Sequence, residues 1–124
     1  MAGIGTKPRL TVRCDGLVVR SCMLDKARIA IGRRRGNDIQ LDDPAVSGVH
    51  AVLLITPSEY LESYPVVQLE DAGSTNGTLV NGERIQRRRL HHGDIIRLGQ
   101  HELVYEENTD AMDSTVFLLS DPSS

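Results

Sequence analysis

The sequence predicts an all-β fold, a sandwich of about ten to eleven short strands. Three features of the sequence lead there. Short runs of alternating apolar and polar residues recur along the chain, bounded by Gly, Pro, Asn, Asp or Ser turn signals. Helical periodicity is nearly absent. The hydrophobic share is 40%, yet the aromatics are only Tyr60, Tyr64, Tyr105 and Phe117. The core must therefore be mostly Val, Ile and Leu, which suits β-structure. At 124 residues the chain has the length of one ordinary domain.

The first strand is expected from Arg9 to Arg13. Asp15-Gly16 then closes a two-residue hairpin onto a second strand, Leu17 to Leu24. This register pairs Cys14 with Leu17 and Arg9 with Cys22. The cysteines then lie about five residues apart along the ladder, or ~17 Å, whereas a disulfide needs Cα atoms within ~7 Å. Both are expected to be free thiols that pack. Strands follow at Arg28 to Ile31, Ile39 to Leu41 and Val49 to Thr56. Glu59 to Ser63 suits a turn of helix, but Pro57 and Pro65 confine it to a loop insertion. The remaining strands are expected at Val66 to Glu70, Thr78 to Val80, Glu83 to Ile85, Asp94 to Leu98 and His101 to Tyr105.

Between the last of these, Arg87-Arg88-Arg89 reads as a solvated turn. Three basic residues in one loop can touch the phosphates of a nucleic acid, but no interleaved aromatics offer stacking. His91-His92 sits in a turn before Gly93-Asp94, without a cysteine or paired carboxylate at ligand spacing, so no metal is expected. Residues 1–106 form the domain, and 107–124 read as an acidic, mobile tail. Its Val116-Phe117-Leu118-Leu119 either docks on the sandwich or is a short recognition motif.

The formal net charge of −3 exerts no global pull toward nucleic acid or anionic membrane. No apolar run approaches the ~20 residues that span a bilayer, and Met1 to Arg9 lacks a signal-peptide apolar core. A soluble, cytoplasmic protein is expected, with neither membrane nor nucleic acid as partner.

Three polar clusters interrupt the strands: Gly32-Arg33, Ser47-Gly48-Val49-His50 and Ser74-Thr75-Asn76-Gly77-Thr78. Together they offer a guanidinium, several hydroxyls, a carboxamide and glycine-freed backbone. Such a set suits a phosphate dianion and includes no nucleophile, general base or metal cluster. Each part also has a plainer reading. Arg33 to Arg35 suits a solvated basic turn, Ser47 a turn cap, and Thr75-Asn76-Gly77 a hairpin connection.

The order and flanks of these clusters resemble the forkhead-associated (FHA) domain, a phosphothreonine-peptide reader, from Arg28 to about Val104. The resemblance is carried by Ile29-Ala30-Ile31-Gly32-Arg33, Asn37-Asp38-Ile39-Gln40-Leu41 and Val46-Ser47-Gly48-Val49-His50-Ala51. It continues through Asp71-Ala72-Gly73-Ser74-Thr75-Asn76-Gly77-Thr78, Val80-Asn81-Gly82 and His92-Gly93-Asp94-Ile95-Ile96-Arg97-Leu98-Gly99. It implies an FHA-type sandwich with its functional loops at one end. It also implies phosphopeptide-binding roles for Arg33, Ser47, Gly48, Thr75 and Asn76, and supporting roles for Gly32, His50 and Gly77.

The chemistry agrees with these roles. Arg33 can donate two parallel hydrogen bonds to phosphate oxygens and stays charged. Gly32 is expected to adopt a turn conformation closed to other residues. Ser47 and Thr75 add hydroxyls from two other loops. Asn76 carries a donor and an acceptor in one amide, suited to a peptide backbone. Asn76-Gly77 readily supplies two residues at positive φ. His50 reads as a hydrogen-bonded structural histidine on either basis.

The chain departs from the pattern at Gly48, where the family often places a basic or polar residue that contacts the ligand. The Gly48 N–H, Arg34 or Arg35 are the candidate substitutes. Two residues before Ser47, where some family members read the third residue after the phosphothreonine, stands Ala45; with only a methyl group there, the resemblance implies an apolar residue at that ligand position. One methyl is worth only ~0.8 kcal/mol, so preference for phosphothreonine over phosphoserine needs a shaped pocket. In the tail, Leu118 follows Thr115 by three residues, so a phosphorylated Thr115 would suit the protein's own site or a neighbour's; the favoured, plainer reading is a short edge strand followed by a frayed terminus.

An enzyme is not expected. The sequence contains no Walker-type phosphate loop, and Asp42-Asp43 and Glu70-Asp71 lack a metal constellation. No cofactor is implied. The expected function is phosphothreonine-dependent protein interaction in Ser/Thr kinase signalling, the partner being a threonine-phosphorylated protein or peptide. The alternative is a phosphate-independent FHA-fold scaffold or oligomerisation module.

Overall fold

A computed structural model describes residues 7–58 and 64–107. These form eleven strands and no helix: β1 (Arg9–Cys14), β2 (Leu17–Met23), β3 (Arg28–Gly32), β4 (Ile39–Gln40), β5 (Ala51–Thr56), β6 (Val66–Asp71), β7 (Thr78–Val80), β8 (Glu83–Ile85), β9 (Arg87–Arg89), β10 (Ile95–Leu98) and β11 (His101–Glu106). One sheet runs β2-β1-β11-β10-β7-β8 and the other β4-β3-β5-β6-β9. Among the register-paired strands only β3 and β4 are parallel.

Alternation explains the layers. Leu10 and Val12 of β1, Ile96 and Leu98 of β10, and Leu103 and Tyr105 of β11 all turn inward from the first sheet. Ile29 and Ile31 of β3, Ala51 and Leu53 of β5, and Val67 and Leu69 of β6 meet them from the second. Leu24, Leu41, Val46 and Leu90, just outside the strands, close the core. An aliphatic core of this kind is what the sparse aromatic content requires.

The structure corrects two local expectations. Arg87–Arg89 is an edge strand, with Gln68, Leu69 and Glu70 of β6 opposite Arg89, Arg88 and Arg87. Its charges are accommodated because an edge strand faces solvent, and because Arg87 pairs with Glu70 at 2.9 Å and Arg88 with Glu83 at 3.6 Å. Basic side chains also guard such an edge against pairing with another chain. In the first hairpin, Cys14 does face Leu17, but a bulge shifts the ladder between Val12 and Arg13. Leu10, not Arg9, therefore faces Cys22. Both cysteines are free, and Cys22 packs against the core.

The suggested helical turn at Glu59 to Ser63, the first six residues, and the tail from 108 onward lie outside the described residues. So do Thr115 and the Val116 to Leu119 quartet.

Candidate functional site

Strand register brings the polar clusters together. Ile31 lies opposite Ala51, and Ala51 opposite Asp71, so β3 ends, β5 begins and β6 ends in one row. The loops 33–38, 41–50 and 72–77 leave from that row and bond to one another. Arg33 N–H donates to the Ser47 carbonyl at 3.0 Å, and Arg34 N–H to the Gly48 carbonyl at 3.1 Å. Ala72 N–H donates to the His50 carbonyl at 2.9 Å. Thr75 N–H donates to Ser47 Oγ at 3.0 Å, and Asn76 Nδ2 to the Ala45 carbonyl at 2.9 Å.

His50 joins two of these loops. It is fully buried, its Nδ1 accepts from the Ser47 N–H at 3.0 Å, and its Nε2 lies 2.8 Å from the Gly77 carbonyl. An acceptor Nδ1 leaves the proton on Nε2, so the imidazole donates to Gly77 as a neutral ring. Gly77 has φ +91°, a conformation that glycine tolerates freely. Asn76 does not share positive φ, contrary to the two-residue turn expected from Asn-Gly. The reason is that this loop is no hairpin: it carries the chain from β6 in one sheet to β7 in the other.

Gly32 is also a glycine for a different reason than expected. Its φ is not in the left-handed region. A Cβ there would lie 2.2 Å from the Gly48 carbonyl oxygen, 2.8 Å from its carbon and 2.9 Å from Asn37 Nδ2. Close approach of the Ser47-Gly48 backbone excludes a side chain.

Residues that the sequence reading did not assign to the site hold it in shape. Asp71 Oδ1 accepts from the Gly73 and Ser74 N–H groups, both at 2.8 Å, in an Asx-type turn. Its Oδ2 accepts from Ser74 Oγ at 2.6 Å and Thr78 Oγ1 at 2.7 Å. Burial pushes the Asp71 carboxyl up, but these hydroxyl and N–H donors outweigh it and leave its pKa below the ordinary value. The spacing Asp71 to Gly73-Ser74 was the legible signal for this turn.

Asp43, 4% exposed, anchors the loop carrying Ala45 and Ser47. It accepts from Ala45 N–H and Gln100 N–H at 2.8 Å each, and pairs with His101 Nδ1 at 3.2 Å. Burial raises its pKa, yet the Gln100, Ala45 and His101 donors carry the net shift downward. Asn37 Nδ2 bridges the Arg34 and Gly48 carbonyls at 2.7 Å each. Nothing local in the sequence marks either role, because every partner but the Ala45 N–H and the Arg34 carbonyl is distant along the chain.

The remaining valences face outward. Arg33, Arg34 and Arg35 are exposed, and none forms an ion pair among the described residues. Ser47 Oγ already accepts from Thr75 N–H, so its own hydrogen remains to be donated. Asn76 spends one Nδ2 hydrogen on Ala45; its second hydrogen and Oδ1 have no partner among the described residues. Thr75 is exposed beside it. The loop end thus presents donors and positive charge, the complement of a phosphorylated chain.

The FHA domain family model matches residues 29–99, more than half of the chain. The chain belongs to the FHA domain family. The glycogen accumulation regulator GarA of Mycolicibacterium smegmatis is 35% identical over 92 residues, which are 74% of this chain and 54% of GarA. An ABC transporter ATP-binding/permease protein of Mycobacterium tuberculosis, Rv1747, is 35% identical over 86 residues, 69% of this chain but 9% of that protein. The chain thus spans about half the length of GarA and a small part of the transporter.

Among solved structures, the FhaA FHA domain complexed with the intracellular domain of Rv3910 superposes with a TM-score of 0.68 at 32% identity. That match covers 80% of this chain and 99% of that one. Mycobacterium tuberculosis EmbR in complex with a low affinity phosphopeptide gives 0.68 at 32% identity, covering 82% of this FHA chain and 24% of EmbR.

Proposed function

We propose that this FHA domain is a phosphothreonine-dependent protein-interaction module in Ser/Thr kinase signalling, a binder with no catalytic role. One observation carries the reading. Arg33, Ser47, Thr75 and Asn76, from three loops, are tied together by cross-loop hydrogen bonds while their ligand-directed donors stay unspent. Arg33 engages the phosphate with a forked pair of charge-assisted bonds, each worth ~1.5–3 kcal/mol. The Ser47 and Thr75 hydroxyls complete a tripod, and the Asn76 amide takes the peptide backbone beside the phosphothreonine. The partner is a threonine-phosphorylated protein met in the cytoplasm, where free cysteines such as Cys14 and Cys22 persist.

A threonine-phosphorylated peptide library titrated by fluorescence anisotropy, with unphosphorylated controls, tests this. Arg33→Ala should weaken binding roughly 30- to 150-fold, about 2–3 kcal/mol, without loss of stability, since its side chain is exposed. A loss below about threefold would remove Arg33 from the site. Binding should also weaken below about pH 6, as the phosphate takes up its second proton.

A phosphate-independent scaffold is the second reading, favoured by the outer strand β2. It exposes Leu17, Val18, Val19 and Met23 at a sheet edge that no other described strand pairs with. Equal affinity for phosphorylated and unphosphorylated partner would support it.

A further inference from the structure

Gly48 leaves a space that another residue enters. The three atoms nearest to a Cβ built at Gly48 all belong to the Arg34 side chain: Nη2 at 3.0 Å, and Cζ and Nε at 3.3 Å. Three atoms of one planar group at nearly equal distance put the guanidinium across the spot where a side chain at 48 would leave the backbone. Arg34 is pinned there through its main chain. Its N–H donates to the Gly48 carbonyl at 3.1 Å, and its own carbonyl accepts from Asn37 Nδ2 at 2.7 Å. The same Asn37 Nδ2 donates to the Gly48 carbonyl at 2.7 Å. Arg34 is exposed and forms no ion pair among the described residues, so its charge is not already neutralised. It sits over the residue that follows Ser47, whose hydroxyl hydrogen is itself unspent.

We propose that Arg34 is a second cation of the phosphate site, delivered from the β3–β4 loop into the space Gly48 leaves, and that a side chain at 48 would evict it. The inference rests on the phosphothreonine reading above. Arg33 and Arg34 leave the end of β3 in succession and meet one phosphate dianion from two directions. Residue 48, which would otherwise supply a contact from the β4–β5 loop, is replaced by a guanidinium from the neighbouring loop. Arg35 supplies none of the three atoms nearest to a Cβ built at Gly48, so the second cation is Arg34.

The test is a mutant cycle on the full chain, read by anisotropy with one phosphothreonine peptide whose flanking residues are uncharged. Arg34→Ala should weaken binding about tenfold, which is about 1.4 kcal/mol. Arg34→Lys should recover only part of this, because an ammonium lacks the planar fork. Gly48→Leu displaces the guanidinium and should weaken binding several-fold in the wild-type background. In the Arg34→Ala background it should change binding less than about twofold, because the two substitutions remove the same contact. Moving the cation, in Arg34→Ala/Gly48→Arg, should restore affinity to within about threefold of wild type.

Arg34→Ala binding within twofold of wild type, alongside a full loss in Arg33→Ala, overturns the proposal and leaves the reader function standing. So does an Arg34→Ala loss that appears only when an acidic residue flanks the phosphothreonine, which would make Arg34 a reader of sequence rather than phosphate. Wild type that ignores the phosphate sinks both. If Gly48→Leu does not fold, Arg34→Ala and the relocated arginine decide the matter without it.

Discussion

Gly32→Ala adds one carbon atom where the backbone leaves no room. The new Cβ would sit 2.2 Å from the Gly48 carbonyl oxygen. Relief requires a shift of roughly 1 Å, since non-bonded heavy atoms settle near 3.5 Å. The atoms in the way are main chain, so rotamer changes cannot absorb it. Three hydrogen bonds span this contact: Arg33 N–H to Ser47, Arg34 N–H to Gly48, and Asn37 Nδ2 to Gly48. At ~0.5–1.5 kcal/mol each, their loss or distortion destabilises by ~1.5–4.5 kcal/mol. For a domain of this size that lowers Tm by at least ~6 °C. The same shift carries Ser47 away from Arg33, so phosphopeptide affinity should fall about tenfold or more.

Thermal unfolding by circular dichroism and anisotropy titration read the two effects. Gly32→Asn separates the physical causes. Asn tolerates positive φ better than Ala does, so a glycine kept for its φ would be partly rescued by Asn. A glycine kept for close approach gains nothing from it. A Gly32→Ala protein with Tm within ~2 °C of wild type and unchanged affinity would mean that the Gly48 carbonyl leaves room for a side chain at 32.

Two further outcomes follow from the supports of the site. His50→Ala strands the Ser47 N–H and the Gly77 carbonyl in a buried position and opens a cavity, so equilibrium urea unfolding should show a loss of at least ~2–3 kcal/mol; a loss under ~1 kcal/mol would mean the imidazole is not the clamp between the loops. Asp71 has a native pKa held below its ordinary value of 3.8, so its stabilising contribution is present above that value and is lost as pH falls through the native pKa. Asp71→Asn should therefore lose less stability than wild type between pH 7 and pH 3 in the same assay, and parallel losses would contradict the assignment of its hydroxyl and N–H donors.

Strand positions and loop order were legible because their causes are local. Period-two alternation from Arg9 onward and turn residues such as Asp15-Gly16 act within a few neighbours. The boundaries accordingly moved by a residue or two, as at Ala51, where the strand begins two residues later than Val49. The polar clusters carrying Arg33, Ser47, Thr75 and Asn76 could be picked out for the same reason: residue type and turn context sit side by side in the chain.

Local pattern was thus enough for the all-β class, the aliphatic core and the polar clusters at the strand ends. Long-range packing set the remainder. It made Arg87–Arg89 an edge strand through pairing with Gln68, Leu69 and Glu70. It gave Gly32 its reason in the Gly48 carbonyl, placed Arg34 across Gly48, and turned Asp43 into an anchor for a segment 57 residues away. Each of these depends on the register between segments distant along the chain, and close approach between backbones leaves no trace in local pattern.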